Sequence, residues 1–128
     1  MLADLPEPTI DLGCGPGRLV VALAGLGRRA LGVDHSPAAV AETRQRGGAA
    51  ICRSVFDPVP AEGRWRSALL FDGNIGIGGD PVRLLRRTRT LLATGGVAVV
   101  ETAEPGLDLH RFEARVERGD AVSSWFPW

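Results

Sequence analysis

Two carboxylates and three glycines hold most of the chemistry that can be read from this chain. In Thr9-Ile10-Asp11-Leu12-Gly13-Cys14-Gly15-Pro16-Gly17-Arg18 an apolar run meets an acid and then opens into glycines at alternate positions. Glycine adopts backbone angles closed to other residues, and without a Cβ it lets a ligand lie against the peptide planes. Leu19 to Leu26 then reads as a buried helix, so the order is strand, glycine turn, helix. Such a turn is expected to offer loop amides and a helix N-terminus to a nucleotide or anion. The second acid, Asp34, ends the apolar run Arg29–Val33, roughly 20 residues beyond the turn, where a carboxylate accepts both hydroxyls of a ribose. It could instead be an ordinary strand-end acid. Ser36, before Pro37, would cap the next helix unaided and leave Asp34 to the ligand. His35, beside it, could touch the same ligand.

The glycine spacing separates two ligand classes. A dinucleotide fingerprint has the form Gly-x-Gly-x-x-Gly. Counted from Gly13 its third glycine falls on Arg18, and counted from Gly15 on Val20. The chain also has no tyrosine and no lysine, so a Tyr–Lys hydride relay is absent. Further on, Asp72-Gly73-Asn74-Ile75-Gly76-Ile77-Gly78-Gly79-Asp80 follows a strand, and Asp72 and Asn74 there are candidates to bind or deprotonate a substrate. Capping of a glycine-rich loop accounts for the same two residues equally well. Glu101 has the same two readings, and His110 reads as a surface residue. Neither histidine has the partners for a triad or a metal site, and no metal is expected. Cys14 and Cys52 fit no metal-ligand spacing and read as reduced thiols of a cytosolic protein.

These residues need a scaffold of alternating strands and helices. Ser36 to Arg46 is a helix closed by Gly47-Gly48, and Ala49–Cys52 is a third strand. Trp65–Phe71 is a fourth, leaving too little room before it for the usual crossover helix. Pro81 to Leu92 is an amphipathic helix with Leu84, Leu85, Thr88, Leu91 and Leu92 on one face, and Arg83, Arg86, Arg87 and Arg89 mostly on a solvated one. Gly95-Gly96 turns the chain into a fifth strand, Val97–Glu101. The expected fold is α/β, a doubly wound and mostly parallel Rossmann-like sheet with helices on both faces. Beyond it, Phe112, Ala114 and Val116 alternate with charged residues, Arg118-Gly119-Asp120 turns, and Ala121–Phe126 forms a second run. That pattern is expected to be a C-terminal β-hairpin, with a helix over residues 109–118 as the competing reading.

The 128 residues make one domain, with a core at about 8–101 and a tail at 102–128. Net charge is zero and the pI about 6.7, which carries no electrostatic footprint for nucleic acid or an anionic membrane. All 15 basic residues are arginine, as codon usage of a GC-rich genome produces. No signal peptide or membrane-spanning run is visible, so the expected location is the cytoplasm.

The pattern Asp11-x-Gly13-x-Gly15-x-Gly17 with Asp34 resembles motif I and the ribose acid of class I S-adenosylmethionine-dependent methyltransferases. The resemblance covers about Pro8 to Glu101. The phrase from Asp72 to Asp80 looks like the region of that family where substrate meets cofactor, and Leu91–Glu101 looks like its helix-glycine-strand passage. It implies S-adenosyl-L-methionine as cofactor and a small-molecule methyl acceptor. Asp11 would face the methionine amine, the Gly13–Gly17 amides would lie near the methionyl part, and Asp34 would hold the ribose. Where the family often has an acid for the adenine amine, this chain has Arg53-Ser54, so Ser54 and Val55 would line that end. Family members usually continue with a helix and an antiparallel strand pair that complete a seven-stranded sheet. Here the hairpin stands in for that pair, or the sheet is incomplete and the chain shortened, with a second copy or another partner covering Trp125–Trp128. A catalytically silent binding module of the same fold is the alternative function, and a nicotinamide-dependent oxidoreductase a more distant one.

Overall fold

In the computed structural model, residues 2–102 are described together with four two-residue strands further on. Five strands form one sheet: β1 (Thr9–Leu12), β2 (Ala30–Asp34), β3 (Ala50–Cys52), β4 (Trp65–Leu70) and β5 (Leu92–Val100). Their order is β3-β2-β1-β4-β5 and every pairing is parallel. The chain thus starts in the middle, winds outward to β3, then crosses back to build the other half. The reversal opens a crevice at the C-terminal ends of β1 and β4, the place where open α/β sheets bind ligands.

Alternation along the strands divides the core between two faces. Ile10, Leu12, Ala68 and Leu70 point to one side and pack with Leu84 and Leu91 of helix α3 (Pro81–Leu91). Leu69 points to the other side, against Leu19 and Leu23 of helix α1 (Arg18–Gly25). Helix α2 (Pro37–Gln45) covers the same side through Val40, which packs with Val20 and Ala50. Helices on both faces and a parallel sheet agree with the sequence expectation. Between β3 and β4 there is no helix, and Val55, Val59 and Trp65 fill that side of the core.

Three details differ from what the sequence suggested. Leu85 is 44% exposed, because the stripe Leu84, Thr88, Leu91 faces the sheet and Leu85 lies a quarter turn round. Arg87 is not solvated. Its Nε donates to the Val55 carbonyl at 2.9 Å, and one Nη reaches Asp57 O at 2.6 Å and Glu62 at 2.5 Å. This leaves the side chain 16% exposed and ties α3 to the β3–β4 connection. Strand β5 also begins earlier than Val97: Trp65 pairs with Leu92 and Ser67 with Val97, so residues 93–96 bulge from the edge.

In the tail, β6 (Glu113–Ala114) pairs antiparallel with β9 (Phe126–Pro127), and β7 (Glu117–Arg118) with β8 (Ala121–Val122). The second pair flanks Gly119-Asp120, as the hairpin expectation had it. His110, Trp125 and Trp128 lie outside the described residues.

Candidate functional site

The glycine turn runs from the end of β1 into α1, with Gly13, Gly15 and Gly17 at φ of +78°, +53° and +83°. Its amides were expected to face a ligand, and the structure corrects this. Gly13 N and Cys14 N both donate to the Val33 carbonyl, at 2.8 and 3.1 Å. Gly15 N donates to Asp34 Oδ2 at 2.9 Å and Gly17 N to Cys14 O at 3.0 Å, while Pro16 has no N–H. The end of β2 lies directly beside the turn and supplies the acceptors. The turn is braced from α2 as well: the Thr43 hydroxyl is 3.0 Å from Gly15 O, and Arg46 Nη1 donates to Pro16 O at 2.8 Å. A Cβ on Gly17 would fall 2.4 Å from Thr43 Cγ2, whereas one on Gly15 would enter open space.

A cavity of about 330 Å³ lies beside this turn at the C-terminal edge of the sheet. Gly13, Asp34 and His35 form one wall, Arg53, Ser54, Val55 and Phe56 another, and Asn74, Ile77 and Gly78 the third. Six of the residues expected from sequence therefore meet here: Gly13, Asp34, His35, Ser54, Val55 and Asn74. Ile77 and Gly78 fall within the Asp72–Asp80 phrase without having been singled out, and Phe56 was not anticipated. The Arg83 guanidinium lies 3.9 Å above the Phe56 ring and fixes it by a cation–π contact. At the rim, Arg53 Nη1 donates to Pro58 O at 2.5 Å, and Ser54 Oγ accepts from Phe56 N at 3.2 Å.

Asp34 carries more structure than expected. Oδ2 accepts from Gly15 N and Oδ1 from Ser36 N, each at 2.9 Å, so the acid joins the turn to the start of α2. Ser36 caps that helix as anticipated, accepting from Ala39 N at 3.3 Å. Each carboxylate oxygen retains a further acceptor direction, so a diol can still be bound.

Asn74 and Asp72 prove to have separate surroundings. Asn74 is buried at the head of a 3₁₀ segment, Asn74–Gly79, and its Nδ2 donates to Leu12 O at 2.9 Å and Gly13 O at 2.7 Å. It clamps the loop after β4 onto the glycine turn. Asp72 lies outside the cavity wall at φ +55°, its side chain 73% exposed and ion-paired to Arg18 Nη2 at 3.1 Å. Its N–H donates to Glu101 Oε2 at 2.5 Å, which gives Glu101 a structural place. Beneath this group sits Asp11, only 3% exposed, facing the α1 side because its neighbours Ile10 and Leu12 face α3. Among the described residues none donates a hydrogen bond to it. Burial, then the charges of Asp72 and Asp34, push its carboxyl up to about 7, with Arg18 opposing. Burial likewise raises the Cys14 thiol to about 12, so it is not a nucleophile. Among the described residues there is no metal-binding cluster and no helix long and apolar enough to cross a membrane.

Comparison with known proteins places this arrangement. A family model described as a methyltransferase domain matches residues 10–96. Uncharacterized proteins of Mycobacterium tuberculosis and Mycobacterium bovis are 32% identical over 111 residues, which is 84% of this chain and 37% of theirs. The chain thus spans little more than a third of these relatives. Among solved structures, a methyltransferase from Bacteroides fragilis in complex with S-adenosyl-L-homocysteine superposes with a TM-score of 0.81, at 23% identity, over 99% of this chain and 59% of that one. A sugar N-methyltransferase from a Streptoalloteichus species gives 0.64 at 27% identity, over 86% and 47%.

Proposed function

This chain belongs to the methyltransferase domain family, whose cofactor is S-adenosyl-L-methionine, and we propose that it carries a methyl transfer from that cofactor to a small-molecule nucleophile. The observation that carries the reading is the closed turn: residues 13–17 present no spare amide to a pyrophosphate, while a cavity beside them suits an uncharged nucleoside. The glycine spacing, whose third glycine would fall on Arg18 or Val20, weighs against a nicotinamide dinucleotide.

The residues present fit the cofactor. Asp34 would accept the ribose hydroxyls, and Val55, Phe56 and Ile77 give an apolar wall for a base. Gly15, where a Cβ would meet nothing, leaves open space over the turn. Asp11, buried and with no donor among the described residues, would take the amine. The cofactor supplies an electrophilic sulfonium methyl, so the protein's task is to align an acceptor and exclude water. Asn74 contributes by fixing the loop after β4 to the turn, which sets the distance between the two walls of the crevice. Its amide protons are committed to backbone carbonyls, and Asp72 is paired with Arg18, so neither is assigned as a base.

Isothermal titration with S-adenosylhomocysteine tests the reading. Binding in the micromolar range is expected, and failure of both this ligand and S-adenosylmethionine to bind at millimolar concentration would remove it. A rise in NADH fluorescence on mixing would favour the oxidoreductase instead. Cofactor binding without transfer to any acceptor would favour the silent module, in keeping with Arg53-Ser54 where an acid is usual.

A further inference from the structure

The cavity wall that would receive the base carries two polar side chains, Arg53 and Ser54, and no carboxylate. Arg53 can only donate. Its Nη1 is bonded to Pro58 O at 2.5 Å, which holds the guanidinium at the rim with further N–H groups to give. Ser54 can do either. Its Oγ accepts from Phe56 N at 3.2 Å, and the hydroxyl keeps a proton to donate and a second lone pair. The nearby carbonyls are engaged: Asp34 O by Arg53 N at 2.9 Å, Ser54 O by Asp57 N at 3.1 Å, and Val55 O by Arg87 Nε at 2.9 Å. Asp57, the next acid along the chain, is exposed and does not line the cavity. Asp34 does line it, but its oxygens already accept from Gly15 N and Ser36 N on the ribose side. The wall is also preformed. Phe56 is held by the Arg83 guanidinium at 3.9 Å and by Gly78, where a Cβ would come within 2.9 Å of the ring.

A purine meets such a wall with two positions of its edge. A 6-amino purine has an acceptor at N1 and a donor in the amine, whereas a 6-oxo purine has a donor at N1 and an acceptor at O6. A carboxylate tells the two apart, because it accepts from the amine and repels the oxygen. One obligate donor beside one hydroxyl does not. We propose that Arg53 and Ser54 make this end of the site indifferent to the group at carbon 6, so that it takes 6-oxopurine nucleosides as well as 6-amino ones. With the amino base, Arg53 donates to N1 and the amine donates to Ser54 Oγ. With the oxo base, Arg53 donates to O6 and N1–H donates to Ser54 Oγ. Strong discrimination needs a buried polar group that the wrong ligand leaves unpaired, and here neither base leaves one. This rests on the reading of the site given above and adds to it the class of base admitted and the two residues that set it.

The test compares S-adenosylhomocysteine with S-inosylhomocysteine, which differ only in the group at carbon 6. Affinities of both are measured by titration calorimetry for the parent, Ser54→Asp and Arg53→Leu, with each variant's melting temperature recorded. The parent should bind the two ligands within about fivefold of one another. Ser54→Asp, whose carboxylate can still accept from Phe56 N, should favour S-adenosylhomocysteine by roughly tenfold or more. Arg53→Leu should weaken both ligands alike, by roughly three- to tenfold. A parent that separates the ligands by more than that fivefold limit, in either direction, overturns the proposal and leaves the cofactor site standing. So does a Ser54→Asp protein that melts like the parent and keeps its ratio. An Arg53→Leu protein that loses affinity for one ligand only, or for neither, overturns it as well. A parent that binds neither ligand would instead remove the cofactor reading itself.

Discussion

Replacing Asp11 by asparagine should make the protein more stable at alkaline pH while impairing its site. In the folded state the carboxyl is raised from 3.8 to about 7 by burial and by the charges of Asp72 and Asp34. An acid whose folded value is raised binds its proton more tightly folded than unfolded, so stability falls as pH rises from about 4 to about 7 and is flat above. The full cost above pH 7 is roughly 4 kcal/mol. Asparagine has the same shape and no charge, but its buried amide would lack partners at a cost of about 2 kcal/mol. The net gain above pH 7 is therefore about 2 kcal/mol, or roughly 8 °C in melting temperature for a domain of this size. Thermal unfolding of parent and variant at pH 5 and pH 8.5 measures it. The variant should melt higher at pH 8.5 and lose its advantage at pH 5, where the parent carboxyl is protonated. A gap of the same size at both pH values, or a variant melting below its parent at pH 8.5, would refute the placement of an uncompensated acid at this position. In the parent, affinity for S-adenosylhomocysteine should rise with pH up to about 7, as the ligand ammonium meets an increasingly ionised Asp11.

Other outcomes follow from the same geometry. Asp34→Ala should weaken S-adenosylhomocysteine binding roughly tenfold or more in calorimetry, and should also melt lower, because Gly15 N and Ser36 N lose their acceptor. Gly17→Ala should be destabilised by more than 2 kcal/mol in urea titration, since its Cβ would strike Thr43, with about 1 kcal/mol more from the positive φ. Gly15→Val should retain cooperative unfolding, at a cost of about 2 kcal/mol for a β-branched residue at positive φ, but lose ligand binding, because its side chain enters the space left for the ligand. Asn74→Ala should lower stability by about 2 kcal/mol, and a melting curve identical to the parent's would show that the clamp on Leu12 O and Gly13 O is not formed.

The sheet was legible because its strands are continuous apolar runs punctuated by glycine turns, and because Ser36-Pro37 marks a helix start. The convergence of Asp11, the glycines and Asp34 was legible for the same reason: they lie at strand ends, where topology alone brings them together. The partners that complete it were harder to see. Asn74 and Arg87 act on backbone carbonyls of Leu12, Gly13, Val55 and Asp57, and a carbonyl has no identity in a sequence. Thr43 left a trace, since it falls three residues after Val40 on the inner face of α2. The amides of the turn misled in the other direction. Whether they face a ligand or the Val33 carbonyl depends on how closely β2 lies beside the turn, which spacing does not encode.

The arrangement around Arg87 bears on how this chain can change over generations. Every basic residue of the chain is arginine, and at Arg86 and Arg89, which are exposed, lysine would serve as well. At Arg87 it would not. The planar fork reaches three acceptors at once, Val55 O, Asp57 O and Glu62, and a single ammonium could satisfy only part of that set. Because the segment it holds includes Val55 and adjoins Phe56, drift at this one codon would loosen the wall of the cavity from behind, without replacing any residue that lines it. In lineages whose genomes move toward A and T, the arginines of α3 are thus free to turn over at two exposed sites and constrained at this one.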